Sequence, residues 1–549
     1  MRNYKQERDM SIKKFLIKGN LIFVLSLLIS GAVSGQSLNE GKKLFENHKY
    51  AEAEKMFLSL CEKENKPVNF FETGKILLIL NKIDEAKSYF SKAANADKEN
   101  LLYQAGEGFI ALKAKDTAKA NAVFNKIVEN DEYDTPAIYL EIADMYNKLS
   151  ITDNKFAVNL LLNYKNSKKY KKSAEFFLIM GYLNSNGSNA SLAIENFNNA
   201  IYFDDELVEP YLAIAKIYQK IKNYTDAESN LNTALNLDTT FAPTYLEYSE
   251  FYSNTKQYEK AVTSYKKYMD LSEVTENKKA EYATLLFLAK MYQESINEIK
   301  DIINTKYFDK QLSHILAYNY FFVNDYNEGV KAFEKYFKTI PENEITATDY
   351  EYYGKLNMGI NIDSTALQSL NKAVTMDTSK TILYGDIAAL YFKMKKWDDA
   401  ANNYKLKIAA TGKLSLKEYF DLGRCYMIKK DYNNADSTYA KVIEIKPDFP
   451  LGYLMSARAK SSIDTTSELG LAKANYEKFI ELAEKSSTPE KYKADLIEAY
   501  SYLGYFYYLK KEDPAYSANW QELFKQNWNK VLVLDPNNVQ AKEALKTVK

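Results

Sequence analysis

The feature that most constrains this chain is a residue pattern that recurs about every 34 positions along most of its length. Each unit begins with a small residue, called its marker residue below. An Ala or similar small residue follows twelve positions later, an aromatic residue or Leu four further on, and a small or apolar residue three beyond that. Examples are Gly74–Ala86–Phe90–Ala93, Gly181–Ala193–Phe197–Ala200 and Gly423–Ala435–Tyr439–Val442. Repetition at such a period predicts a solenoid built from one small structural unit.

The spacing inside each unit is helical. Offsets of three, four and seven place side chains on one face of an α-helix, and the jump of twelve spans a turn between two helices. The chain has only 18 Gly and 10 Pro among 549 residues, so tight turns are scarce and the composition favours helices over an all-β fold. A single helix hairpin cannot bury its apolar face, whereas stacked hairpins share a continuous core. An all-α solenoid is therefore predicted.

The segment Tyr419–Val442, YFDLGRCYMIKKDYNNADSTYAKV, with Pro447 beyond it, resembles the signature of the tetratricopeptide repeat (TPR). The resemblance covers essentially the whole chain after its first 35 residues. It implies a TPR α-solenoid, a right-handed superhelix of about fourteen helix hairpins, whose concave face is lined by the first helix of each pair. Proteins of this kind generally bind peptides, extended segments or partner helices on that face.

The first 35 residues predict a cleavable signal peptide. Scattered Lys and Arg precede an apolar run at 21–33, and the small residues Ser34 and Gly35 follow it. The run is shorter than the roughly 20 residues that a transmembrane helix needs. The junction Gly35–Gln36 resembles the leaders of exported Bacteroidota proteins, which predicts a periplasmic or otherwise extracytoplasmic location. Translation could start at Met1 or Met10, and a retained anchor helix is the alternative to cleavage.

The repeat pattern also predicts an organisation along the chain. Residues 36–135 form the N-terminal repeats, and 176–536 form the central and C-terminal repeats. Between them, 136–175 is predicted as an irregular TPR-like unit, because its second helix lacks the pairing of Ala with an aromatic residue. Residues 537–549 are predicted to form a capping helix with a polar outer face, which the end of a solenoid requires.

Composition and motifs argue against catalysis and against nucleic acid as a partner. The only histidines, His48 and His314, lie about eight units apart. Cys61 and Cys425 lie 364 positions apart, so we predict two buried thiols. No metal-binding, nucleophile or phosphate-loop motif is present. Basic and acidic residues number 73 each, and without the leader 67 basic residues face 71 acidic ones. The prediction is a protein that is not an enzyme and uses no cofactor or metal.

Candidate binding residues follow from the TPR resemblance, which implies that the position after each marker residue faces inward. Those positions are Lys75, Phe109, Asp144, Tyr182, Lys216, Glu250, Tyr318, Lys355, Arg424, Arg458 and Tyr505. The mixture suggests an aromatic and basic concave face. From this set and its neighbours, the predicted partner-binding residues are Tyr182, Lys216, Tyr318, Phe321, Lys355, Arg424, Arg458, Tyr505 and Tyr508. The alternative for each aromatic residue is packing between neighbouring helices.

These features together predict a non-enzymatic, protein-binding scaffold of the cell envelope, with peripheral association with an envelope complex. A glycan- or peptide-capturing module in nutrient uptake is the alternative function. The pattern names neither the partner nor the oligomeric state, because repeat arrays change their ligands at surface positions outside the core pattern.

Overall fold

The computed structural model describes residues 38–131, 135–187, 189–303 and 310–548, so the leader lies outside the described residues. In this part of the chain there are 29 α-helices and three short 3-10 helices, and no strand. The α-helices pair in chain order into fourteen hairpins, followed by one final helix. This confirms the predicted all-α TPR solenoid of about fourteen hairpins.

The chain divides after residue 308 into two compact units, a division that the repeat pattern did not predict. The first unit contains hairpins 1 to 8. Their helices are α1 (Leu38–Glu46) and α2 (Tyr50–Lys63), α3 (Pro67–Ile79) and α4 (Ile83–Ala96), α5 (Gly106–Lys113) and α6 (Thr117–Glu129), α7 (Pro136–Lys148) and α8 (Lys155–Asn166), α9 (Ala174–Asn186) and α10 (Ala190–Phe203), α11 (Glu209–Lys220) and α12 (Tyr224–Leu237), α13 (Ala242–Asn254) and α14 (Tyr258–Leu271), and α15 (Glu276–Leu288) and α16 (Tyr292–Ile303).

The second unit contains hairpins 9 to 14 and the final helix. Its helices are α17 (Lys310–Phe322) and α18 (Tyr326–Thr339), α19 (Ala347–Gly359) and α20 (Asp363–Met376), α21 (Leu383–Lys393) and α22 (Trp397–Thr411), α23 (Leu416–Ile428) and α24 (Tyr432–Ile445), α25 (Pro450–Ile463) and α26 (Lys473–Glu484), α27 (Lys493–Leu509) and α28 (Trp520–Leu534), and α29 (Val539–Thr547). The last of these is the predicted capping helix.

The recurring pattern corresponds to a direct contact inside each hairpin. The marker residue on the first helix packs against the aromatic residue or Leu sixteen positions later on the second. A Cβ atom added to Gly108 would lie 2.2 Å from Cε1 of Phe124, and one added to Gly181 would lie 2.5 Å from the ring of Phe197. Both phenylalanines are fully buried. The small residue is therefore needed for the close approach of the two helices.

A short turn of fixed geometry joins the helices of a hairpin. In hairpin 3, Lys115 adopts a left-handed conformation with φ of 62°, and the N–H of Asp116 donates to the carbonyl of Ala111 at 2.9 Å. This closes the first helix with a Schellman motif. The Asp116 carboxylate then accepts the N–H of Lys119 at 3.0 Å and caps the second helix. Asp116 thus helps to end the first helix through its N–H and caps the second through its carboxylate, which keeps the repeat length nearly constant.

Hairpin 4 is more regular than the sequence predicted. Ala157, Leu161 and Tyr164 of α8 are buried at the spacing of the repeat, with Leu161 at the position that an aromatic residue holds in other hairpins. Ala157 lies fourteen rather than twelve positions after the marker Ala143, because the turn is two residues longer. That insertion shifted the pattern out of register.

Two other expectations concern burial and the membrane. Cys61 and Cys425 are both buried and form no disulfide, as predicted. Within the described ranges, none of the helices has the length and apolar character needed to cross a membrane.

Candidate functional site

A cavity of about 650 Å³ lies inside the first unit, and we call it the lumen. Its wall is formed mainly by the first helices of six hairpins, namely α1, α3, α7, α9, α11 and α13. The wall residues follow one stripe on each helix. On α3 they include Glu72, Lys75 and Ile79, and α7 repeats the same spacing with Glu141, Asp144 and Lys148. Spacings of three and four keep a single helix face turned toward the lumen.

The hairpins surround the lumen as a ring because hairpin 1 contacts hairpin 7 and the chain that follows it. The Asn47 side-chain oxygen accepts the N–H of Ala242 at 2.8 Å, across 195 residues of sequence. In return, the Glu273 carboxylate accepts the N–H of Ala51 at 3.0 Å. A third bond joins the N–H of Glu273 to the carbonyl of His48 at 3.1 Å. We call these contacts the seam, and they close the first seven hairpins into a ring.

Two of the seam bonds are helix caps supplied from a distance. Phe241, at the N-cap of α13, makes no side-chain cap bond, and neither does Lys49 at the N-cap of α2. The first N–H groups of a helix have no partner inside it and need an acceptor. Each end of the ring supplies that acceptor to the other.

His48 completes the seam. Its Nδ1 lies 2.8 Å from the hydroxyl of Tyr268, and its ring stacks on Tyr50. Burial, aided by the charge of Lys278, lowers the pKa of His48 to about 4, so the imidazole is neutral near pH 7. The sequence pattern assigned this histidine no role in the ring.

Charged side chains make up nearly half of the residues in the lumen wall, with seven carboxylates and four lysines. The lysines are engaged with carboxylates. Lys75 pairs with Glu72 at 3.2 Å and also with Glu141, and Lys42 pairs with Glu72 at 3.3 Å. Lys216 pairs with Glu247 at 2.8 Å, and Lys148 pairs with Asp144. Acidic groups therefore remain in excess.

Three of the seven carboxylates, Glu46, Glu175 and Glu209, form no ion pair with any described residue. Burial raises the pKa of Glu46, and the neighbouring Glu209 raises it further. Burial also raises the pKa of Glu175, with Glu141 and Asp144 adding to the effect. Like charges and desolvation both disfavour ionised carboxylates. The lumen is consequently short of positive charge.

The lumen contains two of the nine predicted binding residues. Tyr182 lies half-buried in its wall, and burial, together with Glu209, raises the pKa of its hydroxyl. Lys216 lies in the same wall. Among the other inward positions of this unit, Lys75 and Asp144 also line the lumen. Phe109 is fully buried in the core, so the expectation that it faces inward was wrong.

In the second unit, the predicted cationic residues are engaged with carboxylates. Lys355 donates to Glu351 at 2.6 Å. Arg458 donates to both oxygens of Glu498 and to Asp495, at distances between 2.6 and 3.1 Å.

Arg424 is more exposed than these two residues. Its guanidinium lies 4.9 Å from the ring of Phe392 and 3.9 Å from Asp421. Together, these contacts correct the expectation of a basic face, because carboxylates of the same chain neutralise the basic residues.

The predicted aromatic residues of the second unit differ in accessibility. Tyr318 is buried and donates its hydroxyl to Asp349 at 2.6 Å, so its ring cannot stack on a partner and that prediction was wrong. Phe321 is half-buried against Tyr352, at 5.1 Å between ring centroids. Tyr505 and Tyr508 are 48% and 37% exposed, so they stay available as predicted contacts.

Sequence reasoning missed the acidic wall because it took candidates from the position after each marker residue and, at Phe321 and Tyr508, from four positions after it. The positions two before the marker hold Glu72, Glu141 and Glu247, and those six before it hold Glu175 and Glu209. Helical spacing places all of these positions on the same face. A search extended along that stripe could have found them. Among the described residues, no three His, Cys, Asp or Glu side chains are grouped closely enough to hold a metal ion.

Comparisons with known proteins agree with this architecture. The family model for the tetratricopeptide repeat matches residues 70–100, 208–241, 242–275 and 419–449, which are hairpins 2, 6, 7 and 12. The C-terminal part of a TPR repeat-containing protein from Cytophaga hutchinsonii is 32% identical, with 48% of this chain and 98% of that one covered and a TM-score of 0.39. No curated protein matches the chain.

Two further solved structures are similar at lower identity. A tetratricopeptide repeat protein from Parabacteroides merdae is 17% identical, with 44% of this chain and 92% of that one covered and a TM-score of 0.31. The Cut9–Hcn1 hetero-tetramer of the APC/C is 15% identical, with 87% and 96% covered and a TM-score of 0.28. The identification rests on four separate matches to one repeat, which fall in hairpins of both units. This chain belongs to the tetratricopeptide-repeat family.

Proposed function

We propose that this protein is a non-catalytic scaffold of the cell envelope that holds a peptide segment or partner protein on the inner face of its repeats. The observation that carries the proposal is the lumen of the first unit, which the first helices of six hairpins surround. TPR proteins in general mediate contacts between proteins.

The size and the wall of the lumen suit a macromolecular segment. Its volume of about 650 Å³ falls within the range of about 300 to 1,000 Å³ that small-molecule sites occupy, so it has room for the side chains of a short peptide segment. Apolar side chains such as Leu178, Leu212 and Phe241 lie among the charged ones. A peptide offers both kinds of group at regular intervals, so it can satisfy such a wall.

A blocking variant tests whether the lumen is the working surface. Ala213 lies in the wall on α11, and Ala213→Trp would fill part of the lumen without removing a charge. Ala122 is exposed on α6, so Ala122→Trp is a matched control. Both variants and the wild type would be used in crosslinking pull-downs from the native envelope, after circular dichroism has confirmed that they are folded. We expect only Ala213→Trp to lose a protein that the wild type captures, and equal capture by both variants contradicts the proposal.

The envelope location is a separate part of the proposal, supported by the sequence of the first 35 residues. It predicts that the mature protein isolated from its host begins at Gln36 and fractionates outside the cytoplasm. N-terminal sequencing and fractionation check both points. Recovery of the intact leader in the cytoplasmic fraction contradicts the proposed location and leaves the scaffold function in place.

A further inference from the structure

The acidic excess of the lumen is not compensated by the protein itself. Glu46 on α1, Glu175 on α9 and Glu209 on α11 approach the lumen from three helices and have no ion-pair partner in the described ranges. A fourth acidic group is partly satisfied. Glu247 on α13 is 8% exposed, and its Oε1 accepts Lys216, but its Oε2 has no hydrogen-bond partner.

Such an arrangement costs the free protein stability. The Oε2 of Glu247 is buried and has no donor, so it loses the hydrogen bonds that water would supply. Glu46 and Glu175 keep solvent-exposed surface, but desolvation raises the pKa of each, and neighbouring carboxylates raise it further because like charges disfavour ionisation. A positively charged ligand would relieve both effects. The lumen lysines cannot do so, since each already pairs with another carboxylate.

We infer that the lumen binds a basic segment of a partner protein, whose Lys or Arg side chains pair with its unpaired carboxylates. Those carboxylates are Glu46, Glu175, Glu209 and the free oxygen of Glu247. This inference rests on the proposed scaffold function and names the chemistry of the partner. It differs from the expectation from the sequence, in which the concave face would be basic and aromatic.

The occupant is a peptide rather than a small cation or a metal ion. The acidic groups lie on four different helices around the wall, and no three possible ligands are grouped as a metal site within the described residues. Leu178 on α9, Leu212 on α11 and Phe241 at the start of α13 line the same wall and offer apolar contacts. An extended segment that alternates basic and apolar side chains matches this wall. Arg also pairs with a carboxylate through two parallel hydrogen bonds.

Peptide binding to the full-length protein tests the inference. The probe is a fluorescent peptide that alternates Arg and Leu, and a peptide with Gln in place of Arg is its neutral counterpart. The lumen variant is Glu46→Gln/Glu175→Gln/Glu209→Gln. Its control is Glu85→Gln/Glu129→Gln/Glu195→Gln, which removes three exposed charges from the second helices α4, α6 and α10. We expect the lumen variant to weaken binding by about tenfold or more, and the control by less than about twofold.

A photoreactive group in the peptide supplies a second measurement. Adducts on α1, α9, α11 or α13 support the inference, and adducts on the second helices of the hairpins overturn it. Equal loss of affinity in both triple variants also overturns it, since it indicates binding to the general surface charge. The inference fails as well if spermidine or Ca²⁺ alone binds in the lumen and the peptide does not.

The two proposals fail in different ways. If Ala213→Trp loses the captured envelope protein while the triple lumen variant captures it like the wild type, the scaffold function stands and the basic partner is wrong. If neither variant affects capture, the lumen is not the working surface, and both proposals fall.

Discussion

Replacing Asn47 by Ala would remove the cap that hairpin 1 supplies to α13. The Asn47 oxygen accepts the N–H of Ala242, and Ala242 is fully buried. Because Phe241 has no cap bond of its own, this N–H would stay buried without a partner. Loss of an N-cap costs about 1 kcal/mol, and a buried unpaired donor costs about 1 to 3 kcal/mol. We therefore expect the free energy of unfolding of the first unit to fall by about 1 to 2 kcal/mol.

Native-state hydrogen exchange of the full-length protein measures this effect and locates it. Asn47→Ala should speed exchange in α1, α2 and the start of α13 together, although 195 residues separate the two bonded groups. Asn223→Ala is the matched control, because Asn223 caps α12 within its own hairpin by accepting the N–H of Asp226. That variant should loosen hairpin 6 alone. If Asn47→Ala leaves exchange at both sites unchanged, the ring is not closed by this bond in solution and the reasoning is refuted.

Three further changes test the repeat architecture and the lumen. Gly108→Ala places a Cβ 2.2 Å from Phe124, so overpacking should lower the unfolding free energy by about 1 to 3 kcal/mol in chemical denaturation. Lys222 has a left-handed conformation with φ of 60°, which Gly adopts without strain. Lys222→Gly should therefore raise the unfolding free energy by up to about 1 kcal/mol. Glu46→Gln/Glu175→Gln tests pH dependence. Because folding raises both pKa values, these groups contribute stability below their unfolded pKa of about 4.3, and it is lost as pH rises through the folded values. The wild type should thus gain more stability than the double variant between pH of about 7 and about 5, measured by Tm.

Each of these changes has a contrary outcome. A Cβ on Gly452 comes no closer than 3.2 Å to its neighbours, so an equal loss in Gly452→Ala would refute the overpacking argument. Lys220 is in the last turn of α11, where Gly should destabilise. If Lys220→Gly raised the unfolding free energy as much as Lys222→Gly, the left-handed conformation of Lys222 would not explain the gain. Superimposable pH profiles of Tm would mean that Glu46 and Glu175 titrate normally in the folded protein.

The prediction of the fold succeeded because its signal is local. Gly108 and Phe124 lie sixteen positions apart on adjoining helices, so the contact that defines a hairpin is visible as a sequence spacing. The turn between them was harder to predict, since Lys115 holds a left-handed conformation that usually favours Gly. A lysine there gives no sequence signal. Hairpin 4 was misjudged for a related reason, because its longer turn moved Ala157 out of the expected position.

The candidate site was predicted less well, because accessibility depends on neighbours. Tyr182 and Tyr318 occupy the same position of their repeats, yet the first lies in the lumen wall and the second is buried beside Asp349. Lys216 was predicted to bind a partner, and in the structure Glu247, 31 positions later, pairs with it. The same repeat position can therefore serve packing, neutralisation or binding.

The sequence by itself determined the helix hairpin, its length and its stacking, because helical periodicity and nearest-neighbour packing act over a few tens of residues. Only the tertiary structure decided that six first helices surround one lumen, that its wall is acidic, and that Asn47 caps a helix 195 residues away. Ring closure depends on small rotations between successive hairpins that accumulate along the array. The accumulated rotation is a property of the whole array and not of one repeat. The repeat pattern therefore predicts the fold but not the closure of the ring.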